Sequence, residues 1–251
     1  MSNQTRLLID AGNSRIKWTV AEQASQSSQL GTVISNIDLS SAIDAWRLLA
    51  APDQVWLASV RDEQFGQELN TAIKSLWDLS VNVIFSSKKA LGVTNAYAEP
   101  QTLGCDRWAA MLAAYHESKT SLLVVNLGTA LTIDAIDAEG YHLGGLISPG
   151  IRLQQEAIYV GTNIDCIADI SAFNSQELFV ASTTEGVVSG SINAISALIE
   201  RAYQNRIKQD SGTRCYLAGG DAEKIKDTLQ CPCIIEPSLV LKGIALIAAT
   251  E

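Results

Sequence analysis

The spacing of apolar side chains changes period repeatedly along the chain, and each change marks an element. Leu7-Leu8-Ile9 is an apolar run, Asp10-Ala11-Gly12-Asn13-Ser14 turns the chain, and Ile16-Lys17-Trp18-Thr19-Val20 alternates back, so 6–20 reads as a hairpin. The Ser/Gln-rich stretch 21–29 predicts a loop, and 30–34 a short third strand. Ile43, Trp46 and Leu49 recur at helical spacing, predicting a helix over 40–49 with Ser40 or Ser41 as its cap. A strand over 54–60, an amphipathic helix over 63–77 (Phe65, Leu69, Ile73, Leu76) and a strand over 81–85 follow. The stretch 88–103 has no period and reads as a loop into a helix over 105–117. Strands are then expected at 122–126, 130–136 and 141–143, with helices at 151–159 and 183–204. A strand at 214–218 ends in Gly219-Gly220-Asp221, and a helix spans 239–250. Helices alternating with strands define an α/β protein.

The two halves open alike. Val124-Val125-Asn126-Leu127-Gly128-Thr129 followed by Ala130-Leu131-Thr132-Ile133-Asp134 is a second strand–turn–strand. Overlaying it on the first puts Asp10 on Asn126, Gly12 on Gly128 and Asn13 on Thr129. Such turns present backbone N–H groups and hydroxyls to an anion. The pattern reads as an internal duplication, with an N-terminal half over 1–117 and a C-terminal half over 118–251, and no flexible linker between them.

Composition narrows the function. A length of 251 residues, with 47% hydrophobic and 18% charged residues, describes a folded chain able to bury a sizeable core. The net charge of −9 argues against nucleic acid or an anionic membrane as partner. No run approaches the roughly 18 apolar residues of a membrane span, and Met1 to Arg6 lacks a signal-peptide pattern, so a cytoplasmic protein is expected. Five cysteines, an odd number, fit a reducing compartment. Cys231-Pro232-Cys233 lacks the spacing of zinc ribbons, and with only His116 and His142 to add, the sequence argues against zinc. Scarce histidine also disfavours Ser-His-Asp hydrolysis.

Asp10-Ala11-Gly12-Asn13 with Lys17, Gly104-Cys105-Asp106-Arg107, Leu127-Gly128-Thr129-Ala130 and Gly144-Gly145-Leu146-Ile147-Ser148-Pro149-Gly150 stand in the order found in type III pantothenate kinases. The chain resembles that family from Leu7 to about Ala245. The resemblance implies the fold of the acetate kinase, sugar kinase and actin superfamily: two RNase-H-like halves, each a mixed sheet flanked by helices, closing over ATP. It implies ATP-dependent phosphorylation of pantothenate to 4′-phosphopantothenate, the first step of coenzyme A synthesis, by a homodimer.

The residues suit those roles. Phosphoryl transfer needs positioning and neutralisation of phosphate charge. Asp10 suits Mg²⁺, directly or through water, while Gly12, Asn13, Ser14 and Lys17 would face the phosphates of ATP. In the second hairpin Gly128 and Thr129, with Thr132 nearby, should do the same. By resemblance Asp106 is the catalytic base, Arg107 binds pantothenate, and Tyr97, Gly104 and Thr183 contact it. Plainer readings stand beside these: a turn-forming Asp10, a solvated Lys17, and an Asp106 favoured only by a helix N-terminus. Tyr97 could be an ordinary half-buried aromatic, Thr183 a helix cap, Gly219-Gly220 either a close approach for a nucleotide ring or a plain turn, and the apolar face of 183–204 core or dimer surface. The chain departs from the family at Asn126, where an Asp associated with K⁺ or NH₄⁺ is usual. An amide oxygen can ligate such an ion but brings no charge, so a monovalent-cation requirement is in question. A kinase of another hydroxylated acceptor, or an ATP-binding regulatory relative without turnover, are the alternatives.

Overall fold

The computed structural model of the chain describes residues 4–22, 30–164 and 178–251. The loop expected over 21–29 falls outside them from residue 23 onward, as does Cys166. The chain forms two compact units, one of residues 1–117 with 238–251 and one of 118–237.

In the first unit β1 (Thr5–Ala11) pairs antiparallel with β2 (Ile16–Glu22), and β2 pairs antiparallel with β3 (Ile34–Asn36). On its other side β1 runs parallel to β4 (Gln54–Ser59), and β4 parallel to β5 (Val81–Val83). Leu7, Leu8 and Ile9 are buried in succession, as befits a strand inside a sheet covered on both faces. The third strand begins where the sequence placed its end, because Leu30 makes only an isolated bridge with Ala21. Helix α1 (Leu39–Trp46) starts earlier than expected: Asp38, not Ser40 or Ser41, is its cap, its carboxylate accepting from the Ser41 N–H at 2.8 Å. Helix α2 (Glu63–Trp77) is capped by Asp62, which accepts from the Phe65 N–H at 3.0 Å. Phe65, Leu69 and Ile73, four residues apart, pack with Trp46 of α1 against Leu7, Ile9, Trp18, Val55 and Leu57 of the sheet. The stretch read as a loop contains a small ladder, β6 (Lys89–Ala90) with β7 (Val93–Thr94), before α3 (Cys105–Ser118).

The second unit repeats this plan. β8 (Leu122–Leu127) lies between antiparallel β9 (Ala130–Ile136) and parallel β11 (Arg214–Ala218), with β10 (His142–Pro149) beyond β9 and β12 (Cys233–Ile235) beyond β11. The order β10-β9-β8-β11-β12 reproduces β3-β2-β1-β4-β5 strand for strand and sense for sense. The duplicated α/β architecture with mixed sheets is therefore present. β10 runs on through Gly144-Gly145-Leu146-Ile147-Ser148-Pro149, where the sequence ended a strand at 143. Its register breaks between His142 and Gly144, and Gly144 takes a φ of +109° there, a bulge only glycine enters cheaply. Helices α4 (Ile151–Gly161) and α5 (Thr183–Ile207) connect β10 to β11, and α6 (Ala222–Ile225) precedes β12. Val188, Ile192, Ile195 and Ile199 of α5 pack on Leu123, Val125, Leu131 and Leu217.

The terminal helix α7 (Leu239–Ala248) contacts β1, β2 and β4 and so belongs to the first unit. It meets α3 at backbone distance: a Cβ on Gly243 would lie 1.9 Å from the Ala109 carbonyl oxygen.

Candidate active-site residues

β1 carries Asp10 to the end of the sheet beside its parallel neighbour β4, the edge where open α/β sheets gather ligand groups. Asp10 pairs with Lys17 on β2 and with Ala58 on β4. The turn that follows is held from behind, since Arg61 Nε donates to the Gly12 carbonyl at 2.7 Å while its guanidinium lies 4.6 Å from the Phe65 ring centre. Asn13 and Ser14 are left exposed at the tip. Arg61 lies just past the strand expected over 54–60, and nothing in its local pattern marks a long-range clamp.

Gly104-Cys105-Asp106-Arg107 forms the first turn of α3. The Trp108 N–H donates to the Gly104 carbonyl at 3.0 Å, and Asp106 Oδ1 accepts from the Arg107 N–H at 2.8 Å. A side chain at Gly104 would place its Cβ 2.7 Å from Asp106 Oδ1, so glycine is what leaves the carboxylate its position. Arg107 is buried; its Nη1 donates to the Tyr97 hydroxyl at 3.2 Å, and the guanidinium lies 5.9 Å from that ring's centre. Tyr97 is itself fixed by a residue the sequence did not single out. Buried Asn95 accepts from the Tyr97 N–H at 3.0 Å and donates to the Ser87 and Pro100 carbonyls, each at 3.3 Å. Lys88 Nζ adds a bond to the Asn95 carbonyl at 2.9 Å. An asparagine in a polar loop gives no sequence signal of such a hub.

These groups share an electrostatic field. Burial and the Asp106 carboxylate push the Asp10 carboxyl up to about 7, with Lys17 pulling the other way. Burial, and then Asp106, push the Cys105 thiol up to about 11, and its sulfur donates to the Ser59 carbonyl at 3.2 Å, so Cys105 is an inert packing group.

In the second unit Asn126 pairs with Thr132 on β9 and Ala218 on β11, the register position Asp10 holds in the first. The Gly128-Thr129 turn is clasped from two sides. The Gly150 N–H donates to the Thr129 carbonyl at 3.0 Å, and the Asp221 N–H to the Leu127 carbonyl at 3.2 Å. A Cβ on Gly150 would lie 2.2 Å from the Gly128 oxygen, and one on Gly219, at φ +97°, 2.1 Å from the Leu127 oxygen. Gly219 thus closes the back of this turn, a role distinct from an ordinary reversal. Thr183 stands exposed as the first residue of α5, while Ser182 caps the helix by accepting from the Glu185 N–H at 3.2 Å. The cap reading of Thr183 is therefore corrected by one position.

Known proteins resemble this chain over most of its length. The family model for type III pantothenate kinase matches residues 6–205. The type III pantothenate kinase of Burkholderia mallei (strain SAVP1) is 34% identical, covering 96% of this chain and 98% of its own. Among solved structures, a conserved Baf family protein from Campylobacter jejuni superposes with a TM-score of 0.61 at 22% identity, over 97% of this chain and 98% of that one. The activator of 2-hydroxyisocaproyl-CoA dehydratase from Clostridium difficile, with bound ADPNP, superposes at 0.53 with 11% identity, over 100% and 95%. These two structures share the fold. The sequence matches go further: this chain belongs to the type III pantothenate kinase family.

Proposed function

We propose that the protein transfers the γ-phosphoryl group of ATP to the primary hydroxyl of pantothenate, opening coenzyme A synthesis. The observation that carries the chemistry is the first turn of α3, where Asp106 and Arg107 are fixed side by side in the field of Asp10. Asp106 accepts the hydroxyl proton as the new O–P bond forms. Arg107, hydrogen-bonded to Tyr97, presents its planar guanidinium to the polar end of the acceptor. Asn13 and Ser14 in one turn, and Gly128 and Thr129 in the other, supply donors for phosphate oxygens. Lys17 adds a cation.

Asp10 fits Mg²⁺: it is a carboxylate whose proton is held on by burial and by a second carboxylate, a cost that a dication removes. When bound with ATP, Mg²⁺ neutralises phosphate charge. At Asn126 a monovalent cation finds a neutral amide oxygen in place of a carboxylate. Turnover is therefore expected to change little when K⁺ is replaced by choline, which a salt-exchange assay checks. The chain is read as cytoplasmic from its lack of a signal-peptide pattern and its cysteine usage, and as a homodimer from its family resemblance.

Pantothenate-dependent ADP release tests the assignment. Asp106→Asn should lower kcat by about 10²- to 10⁴-fold while the melting temperature and ATP binding stay as in wild type. A wild type that binds ATP but releases no ADP with pantothenate overturns the acceptor, and a panel of other hydroxyl compounds then identifies the true one.

A further inference from the structure

The second unit brings together three thiols that the kinase reading does not use. Cys215 on β11 lies directly across from Cys233 on the edge strand β12, and Cys231 comes in just ahead of that strand. Their sulfurs all lie within 4.8 Å of one another, and those of Cys231 and Cys233 are 3.5 Å apart. An ion with M–S bonds of about 2.3 Å and tetrahedral angles holds its sulfurs roughly 3.8 Å apart, so the three are already near that spacing. Cys215 and Cys231 are buried and Cys233 is half-buried, the enclosure of a structural site rather than a reactive surface thiol. Glu200 of α5 holds the approach to Cys231: its Oε1 accepts from the Gln230 and Cys231 N–H groups at 2.5 and 2.8 Å. The spacing of Cys231 and Cys233, with only two histidines in the chain to join them, argued against zinc. What the sequence could not show is that strand pairing adds a third sulfur.

We propose that Cys215, Cys231 and Cys233 bind a thiophilic d¹⁰ cation, Zn²⁺ or Cu⁺, that fastens edge strand β12 to β11. Three thiolates suffice for trigonal Cu⁺, and tetrahedral Zn²⁺ would take its fourth donor from solvent beside the half-buried Cys233. Binding is ligand exchange without electron transfer: each thiol releases its proton to solvent as its M–S bond forms.

The test uses the full chain, reduced and metal-free, titrated with Co²⁺ as an optical probe for Zn²⁺ and with Cu⁺ against a chromogenic chelator. The expected result is one equivalent bound, a thiolate-to-cobalt charge-transfer band, a raised melting temperature and protection of three thiols from a disulfide reagent. Affinity should fall at least about 10-fold in Cys233→Ser, whose half-buried site tolerates the change better than that of Cys215. A cobalt–thiolate band at one equivalent assigns Zn²⁺; retention of Cu⁺ alone assigns Cu⁺. Absence of both the cobalt–thiolate band and Cu⁺ retention overturns the proposal. So does equal binding by a Cys231→Ser/Cys233→Ser double variant, or a Cys231–Cys233 disulfide in protein that takes up no metal after reduction.

Discussion

Asp10 holds its proton to about 7 in the folded chain against an ordinary value of 3.8, because burial and the Asp106 charge both disfavour its ionised form. Between those two values the folded protein binds more protons than the unfolded one, so stability contributed by this group falls as pH rises from about 4 through 7. Melting temperature measured across that range should therefore decline more steeply in the metal-free wild type than in Asp10→Asn; parallel curves would sink the assignment. Gly104 makes a second residue-scale prediction. Since a Cβ there would crowd Asp106 Oδ1 at 2.7 Å, Gly104→Ala should displace the carboxylate and lower kcat roughly 10- to 100-fold. The melting temperature should move little, because Gly104 is only half-buried. Steady-state kinetics beside a thermal melt reads both effects. The sequence named the polar residues of the two turns and of the Gly104–Arg107 stretch by motif and by family resemblance. Asn95 and Arg61, which fix Tyr97 and the Gly12 turn through loop contacts, were not legible there, since neither lies in a periodic or motif-bearing stretch.

Elements were legible where the hydrophobic period was strong and long. Helix α2 spans 63–77 as expected, with its apolar residues at four-residue intervals on the core side. Short edge elements were missed: β12 has three residues and β6 and β7 two each, too few to establish any period. β10 was cut short in the reading because glycines in its middle look like a turn, yet they continue the strand past a bulge. Where α7 packs was also outside the reach of periodicity. Its contact with α3 through Gly243 sets two opposing terms against each other in Gly243→Ala. Alanine gains about 1 kcal/mol in helix propensity. Forcing a Cβ to 1.9 Å from the Ala109 oxygen requires the two helices to separate, at a cost above the ~1–3 kcal/mol of ordinary overpacking. The denaturation midpoint should fall; a rise would show that the two backbones are not in contact.

At the scale of the whole molecule, two sheets with the same strand order and sense make the duplication a property of topology, independent of residue identity. Asp10 and Asn126 share a register position while differing by one charge, so the two copies have kept the scaffold and diverged at its chemistry. The sequence by itself determined the α/β class, the repeat, the family and the residues of the two turns, because these depend on local periodicity and on motifs contiguous in the chain. Only the tertiary structure decided which glycines clasp a turn, which carboxylate raises its neighbour's pKa, and which sheet receives the last helix. It alone placed Cys215 beside Cys231 and Cys233. Each of these is a contact between residues far apart in sequence. Strand pairing and helix packing create such contacts, and no periodicity along the chain encodes them.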